Sequence, residues 1–185
     1  LMAEAIEKQE SPPTLSVGIG VGHSLEPLED LLDLGRKAEK LAKKGQNDDP
    51  SDDRDGLAVC VRTRGSDMTH ARGQWKKGIV ERLNRWAHWL LGNDLPDSVP
   101  YDFYRLAQEY ESREERTDRE VLQADIRRLL SKKRNKGKPL SEEKMDELLK
   151  TIENAKDLSN TATELLIARY LANGMKPTQL GGSSS

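Results

Sequence analysis

The densest group of side chains with a capacity for chemistry is a basic segment in the second half of the chain. It contains seven cationic side chains and no acidic one: Arg127, Arg128, Lys132, Lys133, Arg134, Lys136 and Lys138. Such a segment can neutralise the phosphates of an RNA or DNA backbone. It also suits the end of an ordinary solvated helix, because cations stabilise the C-terminal end of the helix dipole. The sequence leaves both interpretations open.

A second charged cluster is acidic. It consists of five aspartates, Asp48, Asp49, Asp52, Asp53 and Asp55. Carboxylates can bind magnesium or calcium, but a calcium loop here would have Arg62 where its terminal glutamate belongs. Pro50 and Ser51 favour a solvated insertion instead. The histidines and the cysteine lack the spacing of a zinc site. We therefore expect neither a metal site nor a catalytic residue in this chain.

Three glycines, Gly18, Gly20 and Gly22, alternate with apolar residues. A dinucleotide-binding loop would place its glycines in the turn after a strand, whereas these lie within the strand itself. The alternation has a period of two, which predicts a strand with one bulky face and one glycine face. We expect another element to cover the glycine face closely.

The elements around these residues divide the chain into two parts. The apolar positions of residues 25–44 have helical spacing, and residues 57–62 form a second apolar strand. Residues 15–62 therefore predict one strand-helix-strand unit with a parallel crossover. Because two strands do not make a stable sheet, we expect the remaining strands to be absent from this chain or supplied by another.

After Gly73 the pattern becomes helical. Helices are predicted over residues 76–91, from Pro100 to Tyr110, from a cap at Thr117 to Leu130, from a cap at Ser141, and over residues 159–172. The expected fold class is α+β, with the strand-helix-strand unit followed by an all-α helical bundle. The expected domains are residues 1–73 and 74–180, and residues 181–185 resemble a linker or engineered tail.

The amino-acid composition indicates the partners and the cellular compartment to expect. The 185 residues carry 34% charged side chains but a formal net charge of −2, so any nucleic-acid contact must be local. A single cysteine, Cys60, within an apolar run excludes a disulfide framework and indicates a reducing compartment. With no long apolar segment and no signal peptide, we expect a cytoplasmic protein. Leu1 ahead of Met2 leads us to expect that the N-terminus is cut or engineered.

Several segments resemble one family. They are Ser-Val-Gly-Ile-Gly-Val-Gly-His-Ser-Leu-Glu-Pro-Leu at 16–28, Ala-Lys-Lys-Gly-Gln-Asn at 42–47, and Gly-Leu-Ala-Val-Cys-Val at 56–61. These are similar to the end of the second palm domain in the large subunit of type III CRISPR effector complexes. The resemblance implies that the strand-helix-strand unit is a ferredoxin-like palm remnant. Leu-Pro-Asp-Ser-Val-Pro-Tyr-Asp at 95–102 resembles the C-terminal helical domain of the III-B (Cmr) form. The resemblance covers nearly all of residues 14–172.

The resemblance implies a parent protein that makes cyclic oligoadenylates from ATP with magnesium or manganese, through a Gly-Gly-Asp-Asp turn. This chain has no such turn, so no cofactor is expected for it alone. Lys43, Lys44 and Asn47 would lie on the phosphate side of the ATP site. Gln46 stands where the family has an arginine, and Ala42 occupies the position of the family's lysine. Both departures put assistance to catalysis in doubt.

The favoured hypothesis is a non-catalytic C-terminal part of this large subunit. Its expected partners are the upstream part of the same subunit, the small helical subunit and other proteins of the complex, guide RNA and target RNA, with no membrane. One alternative is half of an active ATP-oligomerising palm, formed together with the upstream fragment. Another is a stand-alone RNA-binding helical module.

Overall fold

The computed structural model describes residues 13–44, 53–63, 68–112, 118–135 and 138–176. Its elements, in chain order, are β1 (Val17–Val21), α1 (Leu28–Lys43), β2 (Gly56–Val61), β3 (Thr69–Gln74), a 3-10 turn (Trp75–Lys77), α2 (Ile79–Leu91), α3 (Val99–Glu111), α4 (Arg119–Ser131), β4 (Arg134–Asn135), β5 (Lys138–Pro139), α5 (Glu142–Lys150) and α6 (Ala155–Met175). The fold class is α+β, as the sequence predicted.

The sheet has the strand order β1-β2-β3. β1 pairs with β2 in parallel, from Val17 opposite Leu57 to Val21 opposite Val61, which confirms the predicted crossover through α1. β2 pairs with β3 in the antiparallel direction. The expectation that every further strand comes from outside the chain is therefore wrong for β3. That strand escaped the sequence analysis because residues 69–74 lack an apolar alternation.

The glycine face of β1 lies directly against the backbone of α1. A Cβ atom added at Gly18 would lie 2.1 Å from the backbone nitrogen of Glu39, and one added at Gly20 would lie 2.7 Å from that of Gly35. Real Cβ atoms do not approach backbone so closely, so only glycine permits this contact. The close cover predicted for this face is confirmed, and the covering element is this chain's own helix.

The opposite face of the sheet packs on the helices. Leu57, Val59 and Val61 of β2 share an apolar cluster with Ile79 of α2 and Ile167 of α6. The sheet is thus a layer between α1 and the helical part. Within the helical part, α6 packs against both α2 and α3.

The helices enclose the larger core, with fully buried side chains that include Trp86, Phe103, Ile126, Leu148 and Leu165. These residues come from α2, α3, α4, α5 and α6, so each of these helices contributes to one shared interior. Large apolar side chains of this kind contribute roughly 1.5–3 kcal/mol each when fully buried. Helices predominate in this half, as predicted, but the short hairpin of β4 and β5 between α4 and α5 departs from the predicted all-α composition.

The helix starts differ in detail from the predicted ones. Ser141 caps α5 as predicted, its hydroxyl accepting a hydrogen bond from the Lys144 amide. The cap of α4 is Asp118, and the predicted Thr117 lies outside the described residues. α6 begins at Ala155 after an Asn154 cap, earlier than the predicted start at Ser159. No described helix has the length and apolar character needed to cross a membrane.

Candidate nucleic-acid interface

The basic segment is divided by the geometry of α4. Neighbouring residues of a helix point about 100° apart, so Arg127 and Arg128 face different surroundings. The Arg127 guanidinium lies 2.7 Å from Asp146 and 3.2 Å from Glu142, both on α5. Its charge is therefore matched by carboxylates that are distant in the sequence. Arg127 belongs to the contact between α4 and α5.

Arg128, Lys132 and Lys133 lie together along a groove between α3 and α4. The groove encloses about 390 Å³, and Arg105 of α3 adds a fourth cation to its lining. The acidic residues that line it are Asp102, Glu109 and Asp125. The groove therefore combines four cations with three carboxylates rather than presenting a purely basic surface.

Two of these carboxylates are engaged within the groove. The Asp102 carboxylate is ion-paired with Lys133 and lies 3.1 Å from the Arg105 guanidinium. Asp125 accepts a 2.7 Å hydrogen bond from the Tyr110 hydroxyl. Lys133 also donates to the Ser98 hydroxyl at 3.3 Å. Arg128 and Lys132 are exposed, and neither forms an ion pair with another described residue. These two cations are the ones best placed to meet an external phosphate.

Two exposed tyrosines lie on α3, outside the lining of the groove. Tyr101 and Tyr104 are 55% and 42% exposed. Tyr101 lies four residues before Arg105 and shares a helix face with it, whereas Tyr104 is the direct neighbour of Arg105 and points about 100° away from it. Arg169 of α6 stacks on Tyr101 with its guanidinium carbon 5.0 Å from the ring centroid, and donates to the Tyr101 hydroxyl at 3.1 Å. This contact holds one ring in a fixed orientation at the surface.

The sequence analysis did not identify these tyrosines. The signal that could have found them is their position off the apolar stripe of the helix predicted from Pro100. The side chains of Trp86 and Trp89, in contrast, are buried in the helical core.

The last residues of the basic segment form a short hairpin. Arg134 pairs with Pro139 and Asn135 with Lys138 across β4 and β5. Arg134 and Lys138 are described through their backbone alone, and Lys136 lies outside the described residues. The structure thus brings Arg128, Lys132 and Lys133 together and separates Arg127 from them.

The residues assigned to an ATP phosphate side lie elsewhere, at the end of α1. The Lys43 ammonium lies 2.6 Å from Glu39, and this hydrogen-bonded contact holds the pKa of the Glu39 carboxyl below its usual value. Lys44 is exposed at the C-cap. Asn47 and Gln46 lie outside the described residues. The described parts of the chain contain no group of three or more histidine, cysteine, aspartate or glutamate side chains that could hold a metal ion.

No family model, no curated protein and no solved structure matches this chain. The candidate interface is therefore defined by its geometry. Its members are Arg105, Arg128 and Lys132, which line the groove between α3 and α4.

Proposed function

We propose that this chain is a non-catalytic, RNA-contacting part of the large subunit of a type III-B RNA-guided antiviral complex. The family assignment rests on the sequence resemblance of residues 14–172. One observation carries the RNA contact: the exposed cations Arg128 and Lys132 line one groove between α3 and α4, and neither is ion-paired with another described residue.

This combination of groups suits single-stranded RNA. Cations in a groove attract successive phosphates of a single-stranded backbone. The carboxylates of the groove disfavour a close, uniform contact with a duplex backbone, since each repels phosphate. A flexible single strand can place its phosphates on Arg128 and Lys132 and avoid Glu109.

The scaffold part of the proposal is supported by the free side of β1. β1 pairs with β2 on one side, and no described strand pairs with it on the other. Leu15 and Ile19, next to and within this strand, are exposed apolar side chains. An unpaired strand edge accepts a further strand through backbone hydrogen bonds. In the proposed assembly that strand belongs to the upstream part of the same large subunit.

The non-catalytic part of the proposal is supported by the residues at the end of α1. Lys43 is ion-paired with Glu39 rather than directed at an open site. The resemblance places Gln46 at a position where the family uses arginine, whose planar guanidinium binds phosphate through two hydrogen bonds. Glutamine carries no charge and cannot replace that contact.

The RNA contact can be tested by fluorescence anisotropy with an end-labelled single-stranded RNA of mixed sequence over a series of salt concentrations. The variant combining Arg128→Gln and Lys132→Gln removes two cations from the groove. We expect weaker binding and a logarithmic salt slope reduced by up to ~1.4, because each single-strand phosphate contact contributes about 0.7.

The chain offers a matched control in the neighbouring arginine. Arg127→Gln removes the same charge one position earlier, where the guanidinium is already paired with Asp146 and Glu142. It should leave the salt slope nearly unchanged. Equal effects of Arg127→Gln and Arg128→Gln would show that only overall charge matters, and unchanged binding by the double variant would exclude the groove as the RNA contact.

A further inference from the structure

A second cleft lies where the sheet meets the helices, away from the groove between α3 and α4. It encloses about 320 Å³, and its walls come from the end of β3, the 3-10 turn, the first turns of α2 and α6, and Thr151 after α5. No residue of the α3–α4 groove lines it. A volume of this size lies at the lower end of the range for small-ligand pockets.

The lining is rich in cations. Four of its ten residues are basic, Arg72, Lys77, Arg82 and Lys156, and two are acidic, Asp157 and Glu164. The four cations come from four different elements, so their convergence is a product of the tertiary fold and not of a run in the sequence. A concave site with this excess of positive charge attracts an anion.

The two carboxylates are already committed to partners. Glu164, nearly fully buried, accepts hydrogen bonds of 2.9 and 2.8 Å from the Nε and Nη2 atoms of Arg82. Asp157 accepts a 3.1 Å hydrogen bond from the Glu153 amide, next to the start of α6. The Glu164 charge is therefore matched by Arg82, whereas Asp157 keeps its charge, and the lining retains two more cations than carboxylates.

Arg82 keeps hydrogen-bonding capacity for a ligand. A guanidinium has five N–H groups. Two of those on Arg82 donate to Glu164, and a third, on Nη1, donates to the Lys77 carbonyl oxygen. These contacts hold the guanidinium in place while two N–H groups remain. An arginine fixed in this way loses little side-chain entropy when it binds an oxyanion.

The helix α6 adds neutral donors. Asn160 and Thr161 in its second turn line the cleft, and Thr161 is a buried residue. Lys156, in its first turn, is exposed and forms no ion pair with another described residue. The start of a helix also favours negative charge. Charged and neutral donors thus surround one small volume.

We propose that this cleft binds a phosphate group of a phosphorylated ligand, held between Arg82, Lys156 and Lys77, with Asn160 and Thr161 as neutral hydrogen-bond donors. The inference goes beyond the proposed RNA contact, because it concerns a different surface and different residues. The phosphate can belong to a nucleotide or to an RNA backbone, and the two sources share the same chemistry.

The test uses isothermal titration of the chain with inorganic phosphate and with ATP free of divalent metal. The wild type should bind both, and Lys156→Glu should weaken each by about tenfold or more, because a charge-assisted hydrogen bond contributes roughly 1.5–3 kcal/mol. Lys77→Glu should act in the same direction. Lys156→Glu places an acid in the first turn of α6, where it does not oppose helix formation.

A matched control comes from the adjacent lysine of the 3-10 turn. Lys76 is exposed and does not line the cleft, so Lys76→Glu should change the affinities by less than about twofold. A loss as large as that of Lys77→Glu would overturn the site, as would absence of binding by the wild type.

A competition experiment identifies the source of the phosphate. If RNA displaces ATP, the cleft binds a phosphate of an RNA backbone; if RNA does not displace ATP, the ligand is a small phosphorylated molecule. Arg128→Gln should retain ATP binding, so failure of the groove and failure of the cleft are distinguishable.

Discussion

The sheet with α1 and the helical part of this protein are held together in different ways. β1 and α1 meet backbone to backbone across Gly18 and Gly20, and few large side chains lie between them. The helices instead enclose large side chains such as Trp86 and Phe103. The surfaces differ as well, because five of the ten exposed large apolar residues in the described parts of the chain lie between residues 13 and 44.

This difference indicates how each region responds to change. A contact made by backbone against backbone has no room for an added atom, whereas a core of large side chains loses most when atoms are removed. The helical part buries most of its large apolar side chains in its own core and some, such as Ile79 and Ile167, against the sheet. The sheet region leaves Leu15, Ile19, Leu28 and Leu32 exposed, which is typical of a surface that another element covers.

The largest effect is expected at the ion pair that joins α2 to α6. Arg82→Ala leaves the Glu164 carboxylate buried without its partner, which should lower the free energy of unfolding by about 3–5 kcal/mol. Glu164→Gln removes the buried charge itself and should cost less. Urea unfolding monitored by tryptophan fluorescence measures both. Equal losses in the two variants would show that the carboxylate is hydrated in the folded protein.

The same pair predicts a pH dependence. Burial raises the pKa of the Glu164 carboxyl above its usual value, although the hydrogen bonds from Arg82 act in the opposite direction. The folded protein therefore binds this proton more tightly than the unfolded chain. Its contribution to stability is fully present below the usual carboxyl pKa and is lost as the pH rises through the folded-state pKa. Glu164→Gln should abolish this part of the pH dependence. Arg82→Ala removes the hydrogen bonds that lower the pKa of Glu164, so it should enlarge the loss of stability as the pH rises.

The second-largest effect is expected at the contact between β1 and α1, and it should alter the sheet region without altering the helical part. Gly18→Val places a side chain where even a Cβ would lie 2.1 Å from the backbone of α1, so α1 should be displaced at a cost of about 1–3 kcal/mol or more. Cys60 reports on this region because burial shields its thiol and raises its pKa, which lowers the thiolate fraction. Displacement of α1 should restore both access and the ordinary pKa, and so accelerate labelling by a thiol reagent at mildly alkaline pH.

The control in the same experiment is the emission of Trp86 and Trp89, which are buried in the helical core. It is recorded in a Trp75→Phe background, because Trp75 donates a hydrogen bond to the Leu15 carbonyl oxygen beside β1. That emission should change little in Gly18→Val if the helices hold together without α1. An unchanged labelling rate of Cys60 would contradict the close backbone contact. Parallel changes of both probes would show that the two regions unfold as one.

The sequence predicted elements whose signal is local and missed features that depend on the tertiary fold. Alternating glycines at positions 18–22 identified both the strand and its close cover, because the period of a strand is read directly from the chain. β3 carries no such alternation and exists through its pairing with β2.

The candidate sites follow the same rule. The seven cations of the basic segment appear as one group in the sequence, yet Asp146 and Glu142 of α5 neutralise Arg127, and Asp102 of α3 pairs with Lys133. No local pattern indicates these partners. The cleft of Arg82 and Lys156 was also missed, since its residues come from separate elements and no short motif connects them.

The smallest effect tests the contact of β1 with α1 from the other side. Gly35 lies within α1 opposite Gly20, but a Cβ added at Gly35 would meet no other atom within 4 Å. Gly35→Ala should therefore stabilise the protein by about 0.5–1 kcal/mol, because alanine loses less conformational freedom than glycine in a helix. The midpoint of thermal unfolding should rise by about 1–4 °C. A decrease would show that this Cβ points toward β1, and that both partners of the contact require glycine.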